Sequence, residues 1–170
     1  TVHYTDADGN AQQCESDRIL VSVGRRPVLG DYGLENIAVD VERGIKVNEY
    51  MQTSLPNVYA AGDVTGFSLL AHTASREAEV AVNHILGIDD RMEYNAIPGV
   101  VYTNPEVSCV GLTEEQATAA GIEYSVHKLP MTYAGRFVAE NEGQTGLCKL
   151  LVSNDNKVLG VVNGEEKEVL

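Results

Sequence analysis

Short apolar or alternating runs occupy the first part of the chain and predict β-strands. An Asp8-Gly9 turn lies between the first two runs, which predicts a β-hairpin. The third run, "RILVSV", is mostly apolar, as is typical of a strand buried in a parallel sheet. The predicted strands cover residues 2–5, 12–15, 18–23, 45–47 and 58–61.

The period of the pattern changes near Leu69. From there to Ile85, apolar residues recur at intervals of three and four, which predicts an amphipathic helix that Gly87 terminates. A charged run that ends in a Pro-Gly pair then indicates a domain boundary. We therefore expect one domain over residues 1–94 and a second domain over residues 95–170.

Strand-like runs and one helix-like run fill the second half of the chain. The runs "VVYT", "EVSCVG", "YSVHKLP", "LCKLLVS" and "KVLGVV" predict strands, and the turn "NDN" joins the last two. The segment "LTEEQATAAG" predicts a helix with Thr113 as N-cap, Gln116 three residues on, and Gly121 as the C-terminal stop. One helix among antiparallel strands predicts an α+β domain. The terminal "NGEEKEVL" shows no strand pattern.

Charge and cysteine content exclude several classes of protein. Lys and Arg number 12 and Asp and Glu 25, so the net charge of −13 argues against binding nucleic acid or an anionic membrane surface. No apolar run approaches the ~20 residues that a membrane span needs. The three cysteines, Cys14, Cys109 and Cys148, form no close pair, which predicts reduced thiols and a cytoplasmic protein rather than a disulfide framework or a zinc site.

The stretch "NVYAAGDVTGFSLLAH" holds the first candidate for chemistry. Asp63 follows a predicted strand at the edge where ligands of open α/β sheets bind, and its carboxylate can accept hydrogen bonds from ligand hydroxyls. Gly62 permits a close backbone approach. The helix that begins near Leu69 offers free N–H groups to an anion or a polarised carbonyl. The alternative is that Asp63 only caps the turn before this helix.

The stretch "VSVGRRP" is the second candidate. Gly24 ends a predicted strand and would allow a cofactor close to the backbone, while Arg25 and Arg26 could face phosphates. The alternative is a tight turn with solvated arginines, and the chain contains no G-x-G-x-x-G loop. The spacing of His72, His84 and His127 is not that of metal ligands, so we expect no metal site.

Taken in order, these segments resemble the pyridine nucleotide–disulfide oxidoreductases. "ILVSVGRRP" is similar to the segment that closes the NAD domain of that family, and "TSLPNVYAAGDV" is similar to its second FAD motif. "VVYTNPEVSCVGLTEEQA" resembles the start of the dimerisation domain, and "LLAH" resembles the flavin-contacting helix start of the members that oxidise dihydrolipoamide. The implied fold is a partial α/β FAD/NAD(P)-binding domain followed by an α+β dimerisation domain, truncated at its C-terminus.

The resemblance also implies a role for each matching residue. Asp63 would bind the ribitol chain of FAD, and Gly24 would contact NAD. Ala71 and His72 would approach the flavin O2 atom through their backbone. The residues that would line the flavin are Leu69, Leu70, Ala71 and His72.

The activity implied by the resemblance is that of a homodimeric flavoprotein that passes electrons from dihydrolipoamide through a redox disulfide and FAD to NAD. A 2-oxoacid dehydrogenase complex or the glycine cleavage components would be its partners. The family's N-terminal glycine loop, redox cysteine pair and His-Glu acid–base pair have no match here, so we expect a fragment with no catalytic residues and no activity alone. Two alternatives stay open, namely another disulfide reductase of glutathione or mercuric type and a non-catalytic dimerisation module.

Overall fold

A computed structural model describes residues 1–164, and the chain begins as a β-hairpin. Strands β1 (Val2–Thr5) and β2 (Ala11–Cys14) pair antiparallel, as the sequence predicted. The carboxylate of Asp6 accepts the backbone N–H of Asn10 at 2.8 Å and so closes the turn between them. Local turn chemistry is therefore enough to fix this hairpin.

Three further strand predictions are wrong, because the described chain has no strand at residues 18–23, 45–47 or 58–61. Residues 18–23 have no regular structure, and the side chains of Leu20 and Val23 are 90% and 91% exposed. The other two segments form only isolated β-bridges. A buried parallel strand takes its hydrogen bonds from neighbouring strands, and residues 1–164 provide no such neighbours for these runs.

Helix α1 (Ala71–Ile85) is the amphipathic helix that the periodicity predicted, and Gly87 follows it with a left-handed φ of 78°. Its buried face packs Val80 against Met51 and Met92, which are also buried. This small cluster is the hydrophobic core of the first half. This cluster packs the helix against Met51, which precedes it in the chain, and Met92, which follows it.

The second half of the chain forms a single antiparallel sheet. Its strands are β3 (Gly99–Val101), β4 (Val107–Gly111), β5 (Tyr124–Pro130), β6 (Leu147–Ser153) and β7 (Val158–Gly164). They lie in the order β3-β4-β7-β6-β5, and β6 and β7 form the predicted hairpin. The five strand predictions are confirmed, and their antiparallel pairing agrees with the predicted α+β domain.

Helix α2 (Glu114–Ala119) begins with the predicted capping box. The N–H of Gln116 donates to Thr113 Oγ1 at 3.2 Å, and the N–H of Thr113 donates to Gln116 Oε1 at 3.0 Å. Gly121 follows the helix with a left-handed φ of 67°, so the predicted C-terminal stop is also confirmed. Reciprocal hydrogen bonds of this kind satisfy two N–H groups that a helix start leaves free.

Two features of the second half differ from the sequence expectations. Helix α3 (Gly135–Glu140) was not predicted, because it has no side-chain cap and is too short to show a helical period. Asn163 and Gly164 belong to β7, so the expectation of no strand across "NGEEKEVL" is wrong for these two residues. The rest of that tail, residues 165–170, lies outside the described residues.

Candidate functional site

A tight turn follows Gly62 and presents Asp63 to solvent. Gly62 is buried and has a left-handed φ of 84°, which only glycine adopts easily. Asp63–Thr65 forms one turn of 3₁₀-helix, and Thr65 Oγ1 donates to the Gly62 carbonyl at 2.9 Å. The Asp63 carboxylate is exposed and makes no hydrogen bond within residues 1–164. It is therefore available to a ligand, and no contact supports the alternative that it caps the turn.

The start of α1 provides donors a few residues further on. Leu70 is the N-cap residue, and its side chain cannot accept a hydrogen bond. The first helical hydrogen bond runs from Ala74 N–H to the Leu70 carbonyl, so the N–H groups of Ala71, His72 and Thr73 have no acceptor in the helix. The helix dipole adds a partial positive charge at the same place. This helix start can stabilise a negative charge or a polarised carbonyl oxygen.

The imidazole of His72 makes a hydrogen bond within the chain. Its Nε2 atom lies 2.9 Å from the carbonyl oxygen of Pro98, at the beginning of the second half. A carbonyl oxygen only accepts hydrogen bonds, so Nε2 carries the proton in this contact. This contact holds the ring of His72, while the N–H of His72 has no acceptor in the helix. The expected backbone contact of His72 with the flavin stays a prediction.

Glu77 lies beneath the turn and was not identified from the sequence as a site residue. The residue is 0% exposed, yet its two carboxylate oxygens are both used. Oε2 accepts the Gly62 N–H at 2.5 Å, and Oε1 accepts the Tyr94 hydroxyl at 2.7 Å. Burial and the adjacent Glu77 carboxylate raise the pKa of Tyr94 well above its ordinary value. The only sequence signal was an acidic residue on the apolar face of the helix.

Of the other predicted site residues, Leu69 and Leu70 lie beside the start of α1, whereas Gly24 does not. Leu69 and Leu70 precede α1 directly and are half-buried and exposed, respectively. Gly24 is different, because it lies in the exposed segment without regular structure and no atom lies within 4 Å of where its Cβ would be. The structure joins Asp63 to the helix start, but it shows no contact that joins Gly24 to them.

Residues 1–164 show neither a metal-ligand group nor a helix fit to span a membrane. In this part of the chain, no three His, Cys, Asp or Glu side chains are grouped so that they could hold a metal ion. Among the helices described, none has both the length and the hydropathy of a membrane span.

The chain is similar to several known proteins. It is 41% identical to mitochondrial dihydrolipoyl dehydrogenase of Caenorhabditis elegans, over 91% of the chain and 32% of that protein. It is 42% identical to leghemoglobin reductase of Vigna unguiculata, over 91% of the chain and 30% of that protein. The chain thus spans roughly a third of the length of the curated relatives that it matches.

A solved structure shares the fold. LpdA of Mycobacterium tuberculosis superposes with a TM-score of 0.80 at 25% identity, over 96% of this chain and 36% of that one. Two domain descriptions of one family also match the sequence. Residues 2–82 match "Pyridine nucleotide-disulphide oxidoreductase", and residues 97–164 match its dimerisation domain. The matches confirm the expected partial cofactor-binding domain and dimerisation domain, and the chain belongs to the pyridine nucleotide–disulfide oxidoreductase family.

Proposed function

We propose that the native protein that carries this sequence is an FAD- and NAD-dependent enzyme that oxidises dihydrolipoamide. The observation that carries the proposal is the pairing of a free carboxylate, Asp63, with the uncapped start of α1. FAD presents ribitol hydroxyls that need an acceptor and a flavin edge that gains negative charge when it is reduced. Both needs are met within one short segment.

The residues of this segment would hold FAD in separate ways. Asp63 would accept hydrogen bonds from the ribitol hydroxyls, and the N–H groups of Ala71 and His72 would donate to the flavin O2 atom. Leu69 and Leu70 would contact the flavin ring and exclude water from it. Bound FAD would supply the two-electron chemistry that connects a thiol pair to NAD.

The same proposal predicts that the isolated chain is inactive. Oxidation of dihydrolipoamide breaks two S–H bonds, forms one S–S bond, passes a hydride equivalent to NAD and releases one proton, which needs a redox-active thiol pair. Cys14 and Cys109 are exposed free thiols and Cys148 is partly buried, and none of them is paired within residues 1–164. Burial raises the pKa of the Cys148 thiol, which makes it less reactive than an ordinary thiol. The redox pair would come from outside this chain.

We also propose a homodimer that uses residues 95–170, with Gly24 as an NAD contact in the native protein. The dimerisation-domain match over residues 97–164 supports the first part. The partners of the native enzyme would be a 2-oxoacid dehydrogenase complex or glycine cleavage components, which is the choice that fits a chain similar to the mitochondrial dihydrolipoyl dehydrogenase of Caenorhabditis elegans. Cytoplasmic localisation stays a prediction.

An activity and absorbance measurement tests the proposal. The native protein and the isolated chain are purified, and NADH formation from dihydrolipoamide and NAD is followed in both. We expect a flavin absorbance band and NADH formation in the native protein, and no NADH formation in the isolated chain. A native protein without flavin would overturn the proposal, and NADH formation by the isolated chain would overturn the predicted inactivity.

Two other functions would give different results in the same experiment. A native protein that carries flavin but reduces glutathione disulfide or mercuric ion instead would be another disulfide reductase. A colourless dimer without oxidoreductase activity would be a non-catalytic dimerisation module. The five-stranded sheet, whose strands all lie within residues 99–164, is the observation that favours the module as second candidate.

A further inference from the structure

We propose that Glu77 is a positioning residue that holds the Gly62–Asp63 turn against α1 in the geometry that binds flavin. This inference rests on the proposed FAD site and adds to it a residue that would not touch FAD. Glu77 would act through the backbone of Gly62, and Tyr94 would act through Glu77. Three separate observations support it.

The first observation is the contact between Glu77 and the turn. Glu77 lies on α1, six residues after Ala71, and its Oε2 accepts the Gly62 N–H at 2.5 Å. Gly62 directly precedes Asp63, so this hydrogen bond fixes the backbone that carries the proposed ribitol acceptor. The helix start supplies the proposed donors to the flavin. One carboxylate therefore fixes the distance between the acceptor and the donors of the site.

The second observation is the free-energy cost of burying the Glu77 carboxylate. A buried carboxylate is unfavourable unless its oxygens are hydrogen-bonded, and Glu77 is 0% exposed. An apolar residue at this position would not carry that cost. The chain instead places a carboxylate there, and its two hydrogen bonds both connect segments that are distant in sequence. Specific positioning explains this arrangement better than packing does.

The third observation is the role of Tyr94. Its hydroxyl donates to Glu77 Oε1 at 2.7 Å, and its ring stacks on Phe67 with 5.0 Å between the ring centroids. Phe67 lies between Asp63 and the start of α1. Tyr94 thus contacts both the loop and the carboxylate, and its hydrogen bond to Oε1 leaves Oε2 to accept from Gly62.

Glu77→Gln in the native protein tests the inference. A glutamine keeps the shape but has one accepting oxygen, so either the Gly62 N–H or the Tyr94 hydroxyl loses its acceptor. We expect FAD to bind about tenfold more weakly, because a buried hydrogen bond to a charged group is lost. The flavin reduction potential should also shift, which a change in folding stability alone would not cause. FAD affinity is measured by flavin fluorescence on the apoprotein.

Two matched controls and one partner variant make the test specific. Glu79→Gln changes the same residue type on the same helix, where the side chain is exposed and pairs with Arg76, and should leave FAD affinity unchanged. Tyr94→Phe removes only the hydroxyl and should weaken FAD binding in the same direction. The effects of Glu77→Gln and Tyr94→Phe should be non-additive, since both act through one carboxylate. Tyr59→Phe, which removes the hydroxyl of a different tyrosine, is the control for Tyr94→Phe.

A measurement without flavin separates this inference from the proposed function. In the isolated chain, hydrogen exchange at the Gly62 amide should be about tenfold faster or more in Glu77→Gln than in Glu79→Gln, because its acceptor is weakened. Unchanged exchange, or equal FAD affinity in Glu77→Gln and in the unmodified native protein, would overturn the role of Glu77 alone. An unmodified native protein that binds no FAD would overturn the proposed function and, with it, the flavin role of Glu77.

Discussion

At the scale of single residues, Asp63 combines an exposed carboxylate with no internal hydrogen bond. Its replacement should change ligand binding without changing folding. We expect Asp63→Asn in the native protein to lower FAD affinity by roughly tenfold, because a neutral amide accepts hydroxyl hydrogen bonds more weakly than a carboxylate does. The urea midpoint should not move. Flavin fluorescence and urea unfolding are measured, with exposed Asp17→Asn as control, and equal FAD affinity in both variants would contradict the assignment.

The Arg76–Asp90 ion pair predicts how the chain responds to acid. Arg76 donates from both terminal nitrogens to the Asp90 carboxylate, and Asn83 donates to it as well. These donors, the Arg76 guanidinium first, lower the pKa of Asp90 from 3.8 to about 2. A lowered pKa in the folded state stabilises the fold above the unfolded value, and this stabilisation is lost as the pH falls through the folded value.

Urea midpoints of the unmodified chain and of Asp90→Asn should therefore converge as the pH falls from 3.8 to about 2. Above that range, the variant should be the less stable of the two. Asp17→Asn, whose side chain has no such partner, should follow the unmodified chain throughout. A constant difference between the unmodified chain and Asp90→Asn down to the lowest pH would show that Asp90 is protonated at its ordinary pKa.

Residue roles were predictable from the sequence only where they depend on near neighbours. The Thr113 cap and its Gln116 partner are three residues apart, and the sequence predicted both. Glu77 joins Gly62 and Tyr94, which are 15 and 17 residues away from it, and the sequence alone contained nothing that connected them. The helix start was predicted because its periodicity lies on one continuous segment, whereas the strand expected before Asp63 at residues 58–61 did not form.

At the scale of secondary structure elements, the same distinction explains which strands were predicted correctly. Strands β6 and β7 pair across a short turn, so their partners lie next to them in the sequence. Residues 18–23 have an equally apolar pattern, but a parallel strand needs neighbours that are distant in the chain, and residues 1–164 contain none. An apolar pattern therefore predicts the capacity to form a strand, and only the available partners decide whether the strand forms.

The close pairing of β4 and β7 depends on glycine. A Cβ atom at Gly160 would collide with the carbonyl oxygen of Leu112, and one at Gly111 would collide with that of Leu159. We expect Gly160→Ala to destabilise the sheet by about 3 kcal/mol, because the two backbones must move apart. Gly99→Ala, where the nearest atom is the Cys109 sulfur at 3.8 Å, is the control. Thermal unfolding measures both, and equal stability of the two variants would contradict the close approach.

At the scale of the whole molecule, α1 connects the proposed flavin site to the second half of the chain. Its first turn provides the free N–H groups, and His72 in that turn contacts Pro98. Glu77 holds the turn before the helix and binds Tyr94, which lies just before the second half. Arg76 binds Asp90 in the same connecting region. These contacts make α1 the element that links the proposed flavin site to the second half.

The exposed apolar segment at residues 18–23 leads to a prediction about the native protein. Leu20 and Val23 are among the most exposed large apolar side chains of the chain, and such a run in one segment is unfavourable in water. The curated relatives are about three times longer, and we expect additional residues of that length to supply strands that pair with this segment. We expect backbone hydrogen exchange at residues 18–23 to be fast in the isolated chain and at least a hundredfold slower, as an order-of-magnitude estimate, in the native protein.

Residues 147–153 of β6, already paired on both sides, serve as the control and should exchange slowly in both. Equally fast exchange at residues 18–23 in the native protein would show that the run has no strand partner there either, and the expected parallel sheet would then be wrong for the whole protein.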